Sequence, residues 1–151
     1  MKEKEPETIY FYSNHEDPYG CFSNFSRHGF TLDGKYWPTS EHYFQAQKFV
    51  DEPTREQVRL QKSPKLAAEA GRDRKKPLRK DWEEVKDEIM YRAVLAKFQA
   101  HTDIKAILLG TGEKPLVENA PGDYYWGCGA DGSGLNMLGK ILVRVRSELI
   151  K

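Results

Sequence analysis

Trp37-Pro38-Thr39-Ser40-Glu41-His42-Tyr43-Phe44-Gln45-Ala46-Gln47-Lys48-Phe49 is the stretch whose reading decides the fold. It predicts a helix over 39–50, opened by Pro38 and capped by Thr39 or Ser40, whose hydroxyls can accept from the first free amides. Tyr43, Phe44, Ala46, Phe49 and Val50 supply bulky apolar surface. Glu41, Gln45 and Lys48 fall at i, i+4 and i+7, so a helix would set a carboxylate, an amide and an amine on one stripe. Aromatic bulk flanks that stripe. Two readings stay open: an ordinary solvated face, or a semi-buried row on which an acid and an amine do chemistry.

Working outward, Asp33-Gly34 between Phe30-Thr31-Leu32 and Lys35-Tyr36-Trp37 predicts a hairpin. Thr8–Tyr12 reads as a strand, followed by a turn-rich loop over 13–20. Downstream, Ser63-Pro64 places a serine cap and a first-turn proline on a helix that stops near Gly71. Asp81 with Glu84 forms an acidic capping-box pattern at the start of a long helix to about His101. Thr102 is expected to cap a helix closed by Gly110, and 115–118 reads as a strand. A last helix is expected from Ser133 or Gly134, carrying Leu135, Leu138, Ile141, Leu142, Val145 and Leu149. Residues 1–7 read as a disordered N-terminus and 8–151 as one domain. The fold class is α+β: a single compact, mostly helical domain with a small β-sheet.

Composition excludes several classes. The net charge of +1 lacks the basic excess expected of a protein that grips long nucleic acid through its phosphates. Cys21 and Cys128 alone make neither a disulfide framework nor a zinc site, and read as reduced thiols. The first residues are charged and lack the apolar run of a signal peptide, and no apolar run approaches membrane-spanning length. The expectation is a cytoplasmic protein with no membrane partner. His15, His28 and His101 show no metal-ligand spacing, while His42 is expected to pack at its helix start.

Asp123-Tyr124-Tyr125-Trp126-Gly127-Cys128-Gly129-Ala130-Asp131-Gly132-Ser133-Gly134-Leu135-Asn136-Met137-Leu138-Gly139 forms a second constellation. Glycines let backbone approach a ligand, and a helix start offers free N–H groups to phosphate or ribose oxygens. Trp126 has the surface to stack on a base, and Asp131 the group to orient a sugar hydroxyl or move a proton. The plain alternative is that Asp131 or Ser133 caps a helix behind a tight entry loop. Asn24 most commonly would bond its own turn. The basic run Arg72, Arg74, Lys75, Lys76, Arg79, Lys80 reads mostly as solvated loop, with Arg72 in reach of a phosphate. Trp82 reads as a core or staple residue.

The order of Phe22-Ser23-Asn24-Phe25, the 37–49 block, Lys97-Phe98, Leu109-Gly110-Thr111-Gly112, Leu116-Val117-Glu118, Trp126-Gly127-Cys128-Gly129 and Gly134-Leu135-Asn136-Met137-Leu138-Gly139 resembles that of the NADAR superfamily, in its YbiA-like N-glycosidase branch. The resemblance spans roughly residues 8 to 148. It implies hydrolysis of the C1–N bond of phosphoribosylamino-pyrimidine intermediates of riboflavin biosynthesis, giving ribose 5-phosphate and a free aminopyrimidine. Related members remove ADP-ribose from guanine, so an ADP-ribosylated nucleic acid is an alternative partner. A non-catalytic ADP-ribose or nucleotide reader is a third reading. The resemblance calls for neither cofactor nor metal and leaves the oligomeric state open.

Breaking C1–N builds oxocarbenium character that a carboxylate can stabilise while activating water. Glu41 is the first choice and Asp131 the second. Lys48 permits another route, in which a partly neutral amine attacks C1 and passes through a Schiff base; its other reading is pairing with phosphate or an acid. Trp126 and Tyr36 are expected to stack on the base. Asn24, Gln45 and Asn136 would fix hydroxyls or base edges. The entry at Asp131, Gly132, Ser133 and Gly134, helped by Arg72, would hold phosphate.

Overall fold

A computed structural model describes residues 7–151. Of the N-terminus expected to be disordered, only Glu7 falls within the described residues. Along the chain stand β1 (Ile9–Phe11), a 3-10 turn (Tyr19–Phe22), β2 (Phe30–Leu32), β3 (Lys35–Trp37), α1 (Ser40–Ala46), α2 (Glu52–Arg59), α3 (Pro64–Arg72), α4 (Trp82–Ala100), α5 (Thr102–Gly110), β4 (Leu116–Glu118) and α6 (Met137–Ile150). They form two compact units, Asn24–His101 and a second made of the chain up to Ser23 with Thr102–Lys151. The class is α+β as expected, but the described strands make two separate two-stranded sheets instead of one.

In the 24–101 unit, the hairpin follows from its turn residues. Asp33 and Gly34 take φ 55° and 77°, the left-handed pair that a two-residue turn needs. Phe30 then faces Trp37 across the ladder. The Tyr43 hydroxyl donates to Asp33 Oδ2 at 2.7 Å, and Trp37 meets the Tyr43 ring edge-on at 5.1 Å, so α1 is fastened to the hairpin. Tyr43, Phe49, Ala67, Met90 and Phe98 are buried with Trp37 in this core.

Thr39 is the α1 cap, its hydroxyl accepting from the His42 amide at 3.1 Å. The helix is shorter than expected and ends at Ala46. The chain then tightens, with Lys48 N–H donating to the Gln45 carbonyl and Phe49 N–H to that of Ala46. This turn buries Phe49 but leaves Val50 exposed, and it delivers the chain to Asp51, which caps α2. α2 is a helix beyond those expected above, and Asp51 followed by Pro53 is its start signal. Ser63 and Pro64 open α3 as expected. Asp81 does not cap α4 with its side chain; that carboxylate faces Arg79 instead.

In the other unit, β1 and β4 pair in parallel, with Ile9 opposite Leu116. Phe11 meets Phe22 edge-on at 5.7 Å. The helix expected from Ser133 or Gly134 begins later, at Met137, because Asn136 adopts a left-handed φ of 52° before it. Among the described residues no helix is long and apolar enough to cross a membrane.

Candidate functional site

The 24–101 unit gathers the acid, amide and amine around α1. Asn24 sets the first turn: its carbonyl accepts from Glu41 N–H at 3.2 Å, and its Oδ1 accepts from the Ser40 hydroxyl at 2.9 Å. Asn24 therefore holds the start of α1, a longer-range task than bonding its own turn. His42 packs at the helix start as expected, with Nδ1 2.7 Å from the Thr39 hydroxyl and Nε2 2.9 Å from the Gln61 carbonyl.

Gln45 is 6% exposed and donates from Nε2 to Glu41 Oε1 at 2.7 Å. One turn of helix brings these groups together, and the bond fixes the rotamer of the half-buried Glu41. Gln45 Oε1 has no partner among the described residues. The amide lies against Gly71 of α3, where a Cβ would stand 1.9 Å from Oε1. Glycine at 71 is thus a matter of space for Gln45.

Lys48 is not on the helical stripe that i, i+7 spacing implied, because α1 ends before it. The turn still presents its side chain to the same apolar wall. Nζ lies 5.8 Å from the centroid of Phe44 and 5.9 Å from that of Trp82, whose rings are 5.0 Å apart. Burial drives the amine down to about 8, the Arg74 and Arg72 charges push the same way, and Glu41 opposes them. The Glu41 carboxylate and the Arg72 and Arg74 guanidinium groups thus bear electrostatically on the amine. Trp82 is buried as a staple residue should be, yet it also walls the amine, a role the sequence did not signal. Arg74 was equally silent, reading as one charge in a solvated run. Arg72 ends α3 and is exposed, while Tyr36 is exposed on β3.

The remaining candidates belong to the other unit. Asp131 is exposed, and its Oδ1 accepts from the Ser133 hydroxyl at 2.6 Å and the Ser133 amide at 3.0 Å, which holds the carboxyl below its usual range. Residues 131–134 are therefore a loop closed on itself, not a helix N-terminus. The amide of Gly134 donates to Cys128 O at 2.7 Å, and that of Gly132 to Gly129 O at 3.4 Å. The true start of α6 is also occupied: Met137 and Leu138 N–H donate to the Tyr125 and Trp126 carbonyls, both at 3.0 Å. The amides of Met137 and Leu138 are therefore not open to a phosphate. Asn136 spans α6 and β4, with Oδ1 accepting from Glu118 N–H and Nδ2 donating to Leu116 O, each at 2.9 Å. Trp126 is half-buried, its ring 4.8 Å from Tyr125 and edge-on to it. Among the described residues no group of three or more His, Cys, Asp or Glu is placed to hold a metal.

The NADAR domain family model matches residues 10–150. The chain is 53% identical over 141 residues to the N-glycosidase YbiA of Escherichia coli, covering 93% of this chain and 88% of that one. It is 52% identical over 145 residues to an N-glycosidase of Nostoc punctiforme, covering 94% and 92%. A chloroplastic riboflavin biosynthesis protein of maize, PYRR, is 43% identical over 97% of this chain, which matches 26% of that longer protein. The solution structure of E. coli YbiA aligns with a TM-score of 0.89 at 51% identity, covering 98% of this chain and 88% of that one.

Proposed function

The chain belongs to the NADAR domain family, and from that premise we propose that it is an N-glycosidase cleaving the C1–N bond of a phosphoribosylamino-pyrimidine of riboflavin biosynthesis. The products are ribose 5-phosphate and the free aminopyrimidine. The N-glycosidase and riboflavin biosynthesis names of its relatives support the reaction and the substrate class. The single observation that carries the mechanism is the Lys48 amine, pressed on Phe44 and Trp82, lowered to about 8 and opposed by Glu41.

An amine with that affinity for protons is substantially neutral near pH 8 and has a lone pair to give. It bonds to C1 as the C1–N pair leaves with the pyrimidine amino nitrogen. Glu41 carries the proton from the new ammonium to the departing nitrogen. The ribosyl-lysine adduct then opens: its remaining N–H proton passes to the ring oxygen and C1=N forms. Water adds across that bond, the carbinolamine collapses to aldehyde and free amine, and one water has been consumed. Gln45 and Asn24 hold the carboxylate in place for both proton transfers. Arg72 and Arg74, the cations that bear on Lys48, receive the 5′-phosphate. Tyr36 offers a ring for the base. Asp131, Trp126, Gly132, Ser133, Gly134 and Asn136 stand in the other unit, and the bond-making steps assigned here do not use them.

The test is chemical trapping. Borohydride added during turnover reduces the C1=N bond and leaves a stable sugar-phosphate alcohol on Lys48, which peptide mass spectrometry locates. Glu41→Gln is expected to lower ribose 5-phosphate release roughly 10²–10⁴-fold. Release that persists undiminished in Lys48→Ala, with no adduct in wild type, overturns the amine chemistry. Cleavage of guanine-linked ADP-ribose without release from either phosphoribosylamino-pyrimidine overturns the substrate.

A further inference from the structure

With α1 ended at Ala46, the place of the Lys48 amine is set by whatever fixes the Gln47-Lys48-Phe49 turn. Three successive carbonyls leave that turn, and each is taken by an arginine. Arg79 Nη1 donates to Gln47 O at 3.3 Å, the Arg79 backbone N–H donates to Lys48 O at 2.8 Å, and Arg55 Nε donates to Phe49 O at 2.7 Å. Arg79 is itself held in a fork by Asp81, Nε to Oδ1 at 2.6 Å and Nη2 to Oδ2 at 3.1 Å. Its carbonyl accepts from Trp82 N–H at 3.3 Å, so the same residue anchors the ring against which Lys48 rests. A planar five-donor group can serve two acceptors on one side and a third on the other, which an ammonium cannot do with fixed geometry.

We infer that Arg79, oriented by Asp81 and seconded by Arg55, is a positioning residue that clips the turn after α1 and thereby keeps the Lys48 amine against Phe44 and Trp82. The inference rests on the amine chemistry proposed above, but its test does not depend on it. Substitution of the Arg79 side chain removes the bond to Gln47 O and the fork with Asp81, while the main-chain N–H of residue 79 still meets Lys48 O; the turn loosens on its Gln47 side and the amine reaches water. Its proton affinity then climbs from about 8 toward the ordinary lysine value near 10.4. The charges that bear on Lys48 are Glu41 on α1, Arg72 at the end of α3 and Arg74 beyond it, and they are unchanged by substitution at 79. Arg79→Ala also leaves the Asp81 carboxylate without its partner, so a shift shared with Arg79→Lys, which keeps the charge, is the one that reports position.

The experiment follows Lys48 by NMR titration of lysine-labelled protein without substrate, its resonance identified by its disappearance in Lys48→Met. Wild type, Arg79→Ala, Arg79→Lys and Arg55→Ala are compared, and kcat/KM is recorded against pH for each. The midpoint and the acidic limb of kcat/KM are expected to rise together in Arg79→Ala. Each unit of rise lowers the neutral fraction at pH 7 about tenfold. Arg79→Lys should behave like Arg79→Ala, because it keeps the charge and loses the fork. A midpoint unmoved in folded Arg79→Ala overturns the inference, as does a merely lower melting temperature with both profiles in place; if the alanine variant does not fold, Arg79→Lys is read by the same criteria. A midpoint that rises while kcat/KM stays put upholds the clip and overturns the catalytic role of the amine.

Discussion

Gly71→Ala should disable the site from the neighbouring helix, through the close approach of Gly71 to Gln45. A Cβ at 71 stands 1.9 Å from Gln45 Oε1, 2.7 Å from Cδ and 2.9 Å from Cβ, so the buried amide must swing away. The swing breaks the 2.7 Å bond from Nε2 to Glu41. Losing a bond to a charged group costs about 1.5–3 kcal/mol, and forcing a well-packed side chain off its position costs about 1–3 more. Against this, alanine gains roughly 1 kcal/mol over glycine inside a helix. The net expectation is about 3 kcal/mol of destabilisation in urea unfolding. The effect on chemistry is larger in proportion, since a misplacement of about 1 Å at a reacting group can cost 10²-fold.

The control that isolates the cause is the same substitution in Gln45→Ala. There Oε1 and Cδ are gone, only the 2.9 Å contact with Cβ remains, and a shift of a few tenths of an ångström relieves it. The cost of Gly71→Ala should fall to about 1 kcal/mol or less, a coupling within the range seen for residues in contact. Equal costs in the two backgrounds would refute the argument, as would a Gly71→Ala enzyme with undiminished kcat/KM.

Lys48→Met should abolish turnover and raise stability at pH 7 by about 2 kcal/mol, because it removes a cation whose burial opposes its charge. The sign in pH follows from linkage. The folded amine sits at about 8, below its unfolded value, so the unfolded chain holds the extra proton between about 8 and 10.4. Wild-type stability should therefore rise with pH across that window, with the full penalty remaining below 8, and the rise should vanish in Lys48→Met denaturation curves. Arg146→Met, in the other unit, strips Nη1 from Thr111 Oγ1 and from the Lys114 carbonyl, contacts of 2.9 Å and 2.8 Å. It should cost about 3 kcal/mol in urea unfolding.

What the sequence made legible is what local chemistry controls. Thr39, Ser63 with Pro64, and Asp33-Gly34 each act within a few residues, and each does what its type dictates. Glu41 and Gln45 met because one helical turn is enough to join them. The order of motifs along the chain pointed to the family that residues 10–150 match. The errors lie where a competing partner decides. Asp81 looked like a cap, but a guanidinium two residues upstream offers a charge-assisted fork that a single backbone amide cannot rival. The glycine-rich entry looked like a helix start, but Asn136 turns left-handed and the carbonyls of Tyr125 and Trp126 take the amides of Met137 and Leu138, so the helix opens later.

Lys48 joins both cases. Periodicity placed it on a helix, and the helix stops two residues short. A helix that ended there without help would expose carbonyls of the turn to an apolar surround, a cost of the order of a lost hydrogen bond for each one buried. Arg55, from the next helix, and Arg79, some thirty residues on, remove that cost. Ending the helix also frees the lysine from the i, i+4, i+7 row, where long side chains lie along the surface and stay hydrated. The turn can instead lay the amine on Phe44 and Trp82, which is the condition that lowers its proton affinity. An arginine run that composition alone reads as solvated loop thus acts on the site at two depths: Arg72 and Arg74 through charge, Arg79 through the backbone.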